Sequence, residues 1–214
     1  MLSRPPSVDP WAPRRARIEP GIAADLRRGL LAAWRLAAGR ADAVTALYDK
    51  GGTPDAVARI AVRSFASLLI CLVPLGLVEA SQLHLGNLPK PHWHAVAADL
   101  LGYVASWLGF LAVVHAIAVR RGIASAWPRF VALWNWSNLT QAVLLAIASG
   151  PAWLAPQSVF VVAAWLIVAG WAVMVEWVAI RLSLGLSRAI TTALVLLDLT
   201  LELALEGVVS ALTG

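Results

Sequence analysis

Five apolar stretches, each about twenty residues long or slightly longer, constrain this chain more than any other feature. They run roughly from Ser64 to Leu83, Val96 to Val119, Phe130 to Ala148, Val159 to Ile180 and Ile190 to Leu212. About 20 mainly apolar residues suffice for one helix to cross the hydrocarbon core of a bilayer. The runs are rich in Ala and Leu and lack the residue-by-residue alternation of a transmembrane barrel strand. Helices also satisfy their own backbone hydrogen bonds, as lipid demands. The expected fold is all-α: a polytopic membrane helical bundle of five transmembrane helices with an N-terminal amphipathic interfacial helix. Composition agrees, since 60% of the 214 residues are hydrophobic and 14% charged, against about 25% charged in a soluble domain. An ordinary soluble globule and a disordered chain are both excluded.

The basic residues orient the bundle. Eleven of the 17 Lys and Arg precede the first run, from Arg4 to Arg63; Lys90 alone lies between the first and second. Arg120, Arg121 and Arg129 lie between the second and third runs, and Arg181 and Arg188 between the fourth and fifth. Five alternating crossings put 16 basic residues on one side and one on the other. The positive-inside rule makes the first side cytoplasmic, so the N-terminus is expected inside and the C-terminus outside. Residues 1 to 20 hold five prolines and no apolar core, which leaves the first span to act as an uncleaved insertion signal. The net charge of +5 belongs to residues 1 to 63, with 11 positive and 6 negative side chains; the remainder carries 6 of each. The high pI of 10.3 is therefore an orientation signal, and nucleic acid is not an expected partner.

Residues 1 to 20 read as a disordered cytoplasmic tail. Residues 21 to 50 read as an amphipathic cytoplasmic or interfacial helix: Ile22, Leu26, Leu30, Trp34, Ala37, Ala41, Val44 and Tyr48 recur three or four apart. Arg27, Arg28, Arg35 and Arg40 lie largely off that stripe, available to anionic lipid at the cytoplasmic face; packing on protein is the alternative. Gly39 is a weak point in this helix. Thr53-Pro54-Asp55 reads as an N-cap, a first-turn proline and a dipole-matching acid, opening the five-helix domain of residues 54 to 214.

Six acids fall in or at the edges of the runs: Glu79, Asp99, Glu176, Asp198, Glu202 and Glu206. An ionisable group at a helix centre costs about 2.5–3.5 kcal/mol on insertion scales, so such groups are functional candidates. Glu79 and Asp99 sit near outer span ends, where headgroup water reaches them. Glu176 is expected to pair locally with Arg181. Asp198, Glu202 and Glu206 fall at i, i+4 and i+8, on one helical stripe. Asn135, Asn138 and Gln141 share a face of the third span and are the expected hydrogen-bonding partners of that stripe, since amide-rich faces join helices in lipid. A wet groove for protons or cations, or a shallow span facing outer water, are the alternatives.

Four further features read more simply. The outer His84, His92 and His94 have no ligand spacing, so no metal site is expected; His115 and the lone Cys71 read as packing residues. Trp93, Trp127, Trp153 and Trp177 fit interfacial belts, whereas Trp107, Trp134, Trp136, Trp165 and Trp171 lie deeper. Gly102 with Ser106, and Ala105 with Gly109, permit close helix approach. No HExxH, GxSxG, Walker A or dinucleotide-binding fingerprint occurs, and the arm is too short for a catalytic core. No enzymatic activity and no cofactor are expected.

Trp34 to Arg40, Arg63 to Leu69 running on to Pro74, Leu133-Trp134-Asn135-Trp136-Ser137-Asn138 and Leu196-Leu197-Asp198-Leu199 resemble segments of alphaproteobacterial multi-span membrane proteins. In layout that group looks like bacterial members of the Yip family, with a cytoplasmic N-terminus and five spans. The resemblance implies a bacterial inner-membrane protein acting as a scaffold or binding a membrane-protein partner or a second copy. The chain lacks the family's Asp-Leu-Tyr and Gly-Tyr-rich signature apart from Gly102-Tyr103. The alternative expectation is a small proton- or cation-coupled transporter or channel using the acidic stripe.

Overall fold

The computed structural model describes residues 21–48, 54–87, 92–154 and 159–213. The tail of residues 1 to 20, Gly51, Gly52, the Thr53 cap, Lys90 and Pro156 lie outside them. Among the described residues all regular structure is helical. The arm forms α1 (Ile22–Ala37) and α2 (Ala43–Leu47). The apolar runs form α3 (Pro54–Ser64) with α4 (Ala66–Leu85), α5 (His92–Arg120), α6 (Trp127–Ala148), the short α7 (Gly150–Leu154), α8 (Val159–Leu184) and α9 (Arg188–Thr213). Among the described residues four helical rods are long and apolar enough to cross a membrane: Pro54–Leu85, Trp93–Arg120, Ala124–Leu154 and Val159–Leu184. The fifth run is one 26-residue helix, but its three carboxyls set it apart from those four.

The centre of the bundle is α6. In its most apolar window 56% of residues are buried inside the protein, against 17% in α8. Phe130 through Ser137 are buried without a break, so no side of this stretch faces outward. Helices α1, α3, α4 and α8 surround it. Its aromatic residues continue into α5: Phe110 lies 4.7 Å from Trp134 and 6.2 Å from Phe130 between ring centroids. Helices α5 and α9 form the second layer. A Cβ on Gly102 would meet Val209 Cγ2 at 3.2 Å, and one on Gly109 would meet Leu201 Cδ2 at 3.5 Å. The small residues of α5 thus face α9 in antiparallel register, and their missing side chains allow the close approach.

The arm is not one helix. Gly39 adopts φ +69°, and its N–H bonds Leu36 O while Arg40 N–H bonds Arg35 O. This double bond pattern around a left-handed glycine ends a helix. Arg40 then donates two 3.0 Å hydrogen bonds to Asp42, and Arg35 lies 3.3 Å from the same carboxylate. These contacts hold the Asp42 carboxyl below its ordinary value, mainly through the Arg40 hydrogen bonds. Tyr48 closes α2, donating its hydroxyl to Pro128 O at 3.2 Å; burial pushes this phenol's pKa up.

The face by which α1 packs also differs from the stripe read in sequence. Asp25, Gly29, Ala32, Ala33 and Leu36 are buried, a strip of mostly small residues that lets α1 lie close on α6. A Cβ on Gly29 would fall 2.0–2.4 Å from the Trp136 ring, so only glycine fits there. Trp171 donates its indole N–H to Ala37 O at 3.1 Å, fixing the other end of α1 to α8. Ile22, Leu30 and Trp34 point outward instead, Trp34 at 70% exposure. Packing on protein and a free apolar outer face therefore coexist.

A polar contact interrupts the first rod. Ser64 Oγ donates to Ala61 O at 2.6 Å, a local bond that competes with the helical ladder and bends helices. The amide of Phe65 then bonds Val62 O at 3.2 Å, one residue tighter than an α-turn.

Candidate functional site

The polar residues of the bundle divide into an amide node and a carboxyl series. The node is Asn135, fully buried in α6. Its Nδ2 donates to Ser64 Oγ at 2.8 Å, its Oδ1 accepts the Trp107 indole N–H at 2.8 Å, and its backbone carbonyl accepts Ser67 Oγ at 2.9 Å. One residue thereby joins the α3–α4 rod, α5 and α6. Such satisfied interhelical bonds are worth roughly 0.6–2 kcal/mol each in membrane proteins. The expectation that this amide face receives the acids of α9 is not met. Helix α6 packs on α4 and α8, whereas α9 packs on α5 and α8, so Asn135 faces other partners. Asn138 and Gln141 are half-buried on the same helix; Gln141 Nε2 has no hydrogen-bond partner.

The carboxyls form a chain of their own. Asp198, Glu202 and Glu206 succeed one another along α9, and residues four apart are neighbours on a helix surface. Each is within electrostatic range of the next. At one end Asp198 comes within range of Glu176 on α8. At the other, Glu206 comes within range of Asp99 on α5, and Asp99 within range of Glu79 on α4. Six acids from four helices thus make one series. Asp198 and Glu176 are 4% and 5% exposed; Asp99 and Glu79 are half-buried, and Glu202 and Glu206 exposed. Tyr103 of α5 lies beside Glu202 and Asp198 and next to the buried Cys71 thiol of α4.

Glu176 corrects one expectation. It makes no ion pair with Arg181; its Oε1 is buried without a hydrogen-bond partner. At about 100° per residue, five residues rotate Arg181 roughly 140° away from Glu176. The guanidinium stacks instead over Trp177, 5.0 Å from the ring centroid. Glu176 joins the carboxyl series on the other side of α8.

The remaining candidates separate from this site. Among the four arginines assigned to lipid, Arg35 and Arg40 bind Asp42, while Arg27 is exposed. His84 stacks on Trp153 at 4.7 Å, His94 lies 3.5 Å from Trp93, and His115 meets Trp127 edge-on at 4.8 Å. The side chain of His92 lies outside the described residues. Among the described residues no three His, Cys, Asp or Glu side chains converge on a metal position. Trp107, Trp134 and Trp136 are buried, and Trp93 and Trp153 exposed. One site residue escaped the sequence reading: Asp25, buried on α1, bonds Arg63 Nη1 on α3. Its place in line with Gly29, Ala32, Ala33 and Leu36 at helical spacing is the one signal that could have singled it out.

No family model matches the chain, and no curated protein or solved structure shows significant similarity to it.

Proposed function

We propose that this is a non-enzymatic protein of a bacterial inner membrane, crossing it five times with the N-terminus inside, and that its carboxyl series carries protons or small cations. The carrying observation is the series itself: six acids from α4, α5, α8 and α9, each in electrostatic range of its neighbour in the series, with Asp198 and Glu176 buried and unpaired by any basic side chain among the described residues. Buried ionisable groups are expensive in a membrane and mark ion or proton paths when they face the bundle interior. The eight steps from Asp198 to Glu206 cover roughly 12 Å along α9, and Glu176 and Asp99 extend the series onto neighbouring helices. The Lys and Arg distribution supports the orientation, and the length of α9 supports a fifth crossing despite its acids. A C-terminal reporter active outside and silent inside supports five crossings; the reverse result removes them. Proton and cation flux into proteoliposomes, compared with Asp198→Asn and Glu202→Gln, tests the transport reading.

A second reading, a scaffold binding a membrane-protein partner or a second copy as in the Yip-like layout, is favoured by a different observation. Glu202 and Glu206 are exposed beside Leu203 and Val208, which are also exposed. A mixed acidic and apolar strip of this kind suits a helix–helix interface. Cross-linking in native membranes, with and without residues 1 to 50, supports this reading if a defined product forms and counts against it if none does.

A further inference from the structure

A second feature lies at the opposite end of the α5–α9 pair from Glu206. A groove of about 660 Å³ opens between the last turns of α5 and the first turns of α9, within the roughly 300–1,000 Å³ typical of small-molecule sites. Its wall is hydrocarbon: Ile117 from α5 and Ile190, Leu194 and Leu197 from α9. Its rim carries Arg120 and Arg121. Both arginines are exposed, and neither is ion-paired with a carboxylate among the described residues, although a C-terminal arginine also complements the dipole of its helix. Gly122, at φ +71°, turns the chain away immediately afterwards, which leaves both guanidinium groups at the mouth of the groove. Among the described residues α9 packs mainly on α5 and α8.

We propose that this groove binds an anionic phospholipid of the leaflet that faces the arm, with the phosphate held by Arg120 and Arg121 and an acyl chain lying along the α5–α9 seam. Charge complementarity selects the headgroup. Guanidinium groups recognise phosphate oxygens through paired hydrogen bonds, and basic pockets between spans on the cytoplasmic side suit anionic headgroups. The apolar wall selects a lipid over a free phosphate, because a soluble anion leaves Ile190, Leu194 and Leu197 uncovered. The site goes beyond the carboxyl series and does not require it to conduct.

Native mass spectrometry of the full-length protein, released from detergent after incubation with phosphatidylglycerol or phosphatidylcholine, tests the assignment. Wild type retains phosphatidylglycerol in preference to phosphatidylcholine, and Arg120→Gln with Arg121→Gln lowers that preference roughly tenfold or more. Arg120→Lys with Arg121→Lys, which keeps the charge but loses the paired guanidinium hydrogen bonds, lowers it by less than the Gln pair does. Ala193→Trp, which fills the groove and leaves both arginines in the sequence, loses retention of both lipids. Equal preference in wild type and the double Gln variant overturns the proposal, as does displacement of the lipid by millimolar inorganic phosphate alone.

Discussion

Glu176 and Asp198 lie within electrostatic range of each other across the α8–α9 hairpin, each about 95% buried, with no basic partner among the described residues. Two such carboxyls at one level of a bundle are poor structural glue, because neither supplies a countercharge to the other. On the function proposed above they are the buried members of the series, and they bring α8 into it.

Glycine positions give a graded test of packing. Gly29→Ala places a methyl group inside the Trp136 ring and is expected to cost about 1–3 kcal/mol by overpacking, with α1 released from α6. Gly102→Ala meets only the movable Val209 methyl at 3.2 Å and costs less. Gly76→Ala, with nothing within 4 Å, is neutral or stabilises by up to about 1 kcal/mol. Thermal unfolding midpoints in detergent rank the three; a Gly29 variant as stable as the Gly76 variant contradicts the docking of α1.

The Asn135 node predicts a larger loss. Asn135→Leu keeps the branched shape but strands the Trp107 indole N–H, at about 1–3 kcal/mol for a buried group left unpaired, and also removes the hydrogen bond to Ser64 Oγ, which keeps its own bond to Ala61 O. Ser67→Ala removes one hydrogen bond to the Asn135 carbonyl and costs nearer 1 kcal/mol. Chemical denaturation of the purified protein separates the two, and equal midpoints count against the node.

The Asp25–Arg63 pair joins α1 to α3. Removing one partner of a buried pair costs about 3–5 kcal/mol; here Arg63 keeps 30% of its side chain exposed, so the lower end or less applies. Asp25→Asn is expected to expose α1 to protease, and Asp25→Asn with Arg63→Gln to recover part of the loss. A double variant worse than the sum of the two single variants rules this pairing out.

Acid should loosen the turn between α1 and α2. The Asp42 carboxyl titrates below its ordinary 3.8, chiefly because of its hydrogen bonds from Arg40. Its contribution is therefore complete above pH 3.8 and lost as pH falls through the lower folded-state value. Carboxyl NMR shifts should show Arg40→Ala raising the Asp42 midpoint toward 3.8; an unchanged midpoint shows that the contact is absent in solution.

Sequence periodicity made the helical rods legible, because a twenty-residue apolar run has one stable solution in lipid. The Gly39 break was legible as a weakness, though not as a stop, since only the positive φ and the paired bonds to Leu36 and Arg35 end the helix. The packing face of α1 was not legible. Large residues such as Trp34 and Leu30 carry the periodic signal, whereas contact with α6 uses Gly29, Ala32 and Ala33, which carry little. The acidic stripe on α9 could be read from its spacing of four. Its neighbours could not, because Glu176 and Asp99 join it through tertiary packing, and Asn135 is taken by α3, α4 and α5.

Flux through the carboxyl series is the most direct test. Proteoliposomes with wild-type protein should pass protons or a monovalent cation at least tenfold above protein-free vesicles. Asp198→Asn and Glu202→Gln should each return flux to background while the folded protein is still recovered, and Asn138→Ala should leave it unchanged. Background flux in wild type, or undiminished flux in both acid variants, contradicts the assignment of the series as a path for protons or cations.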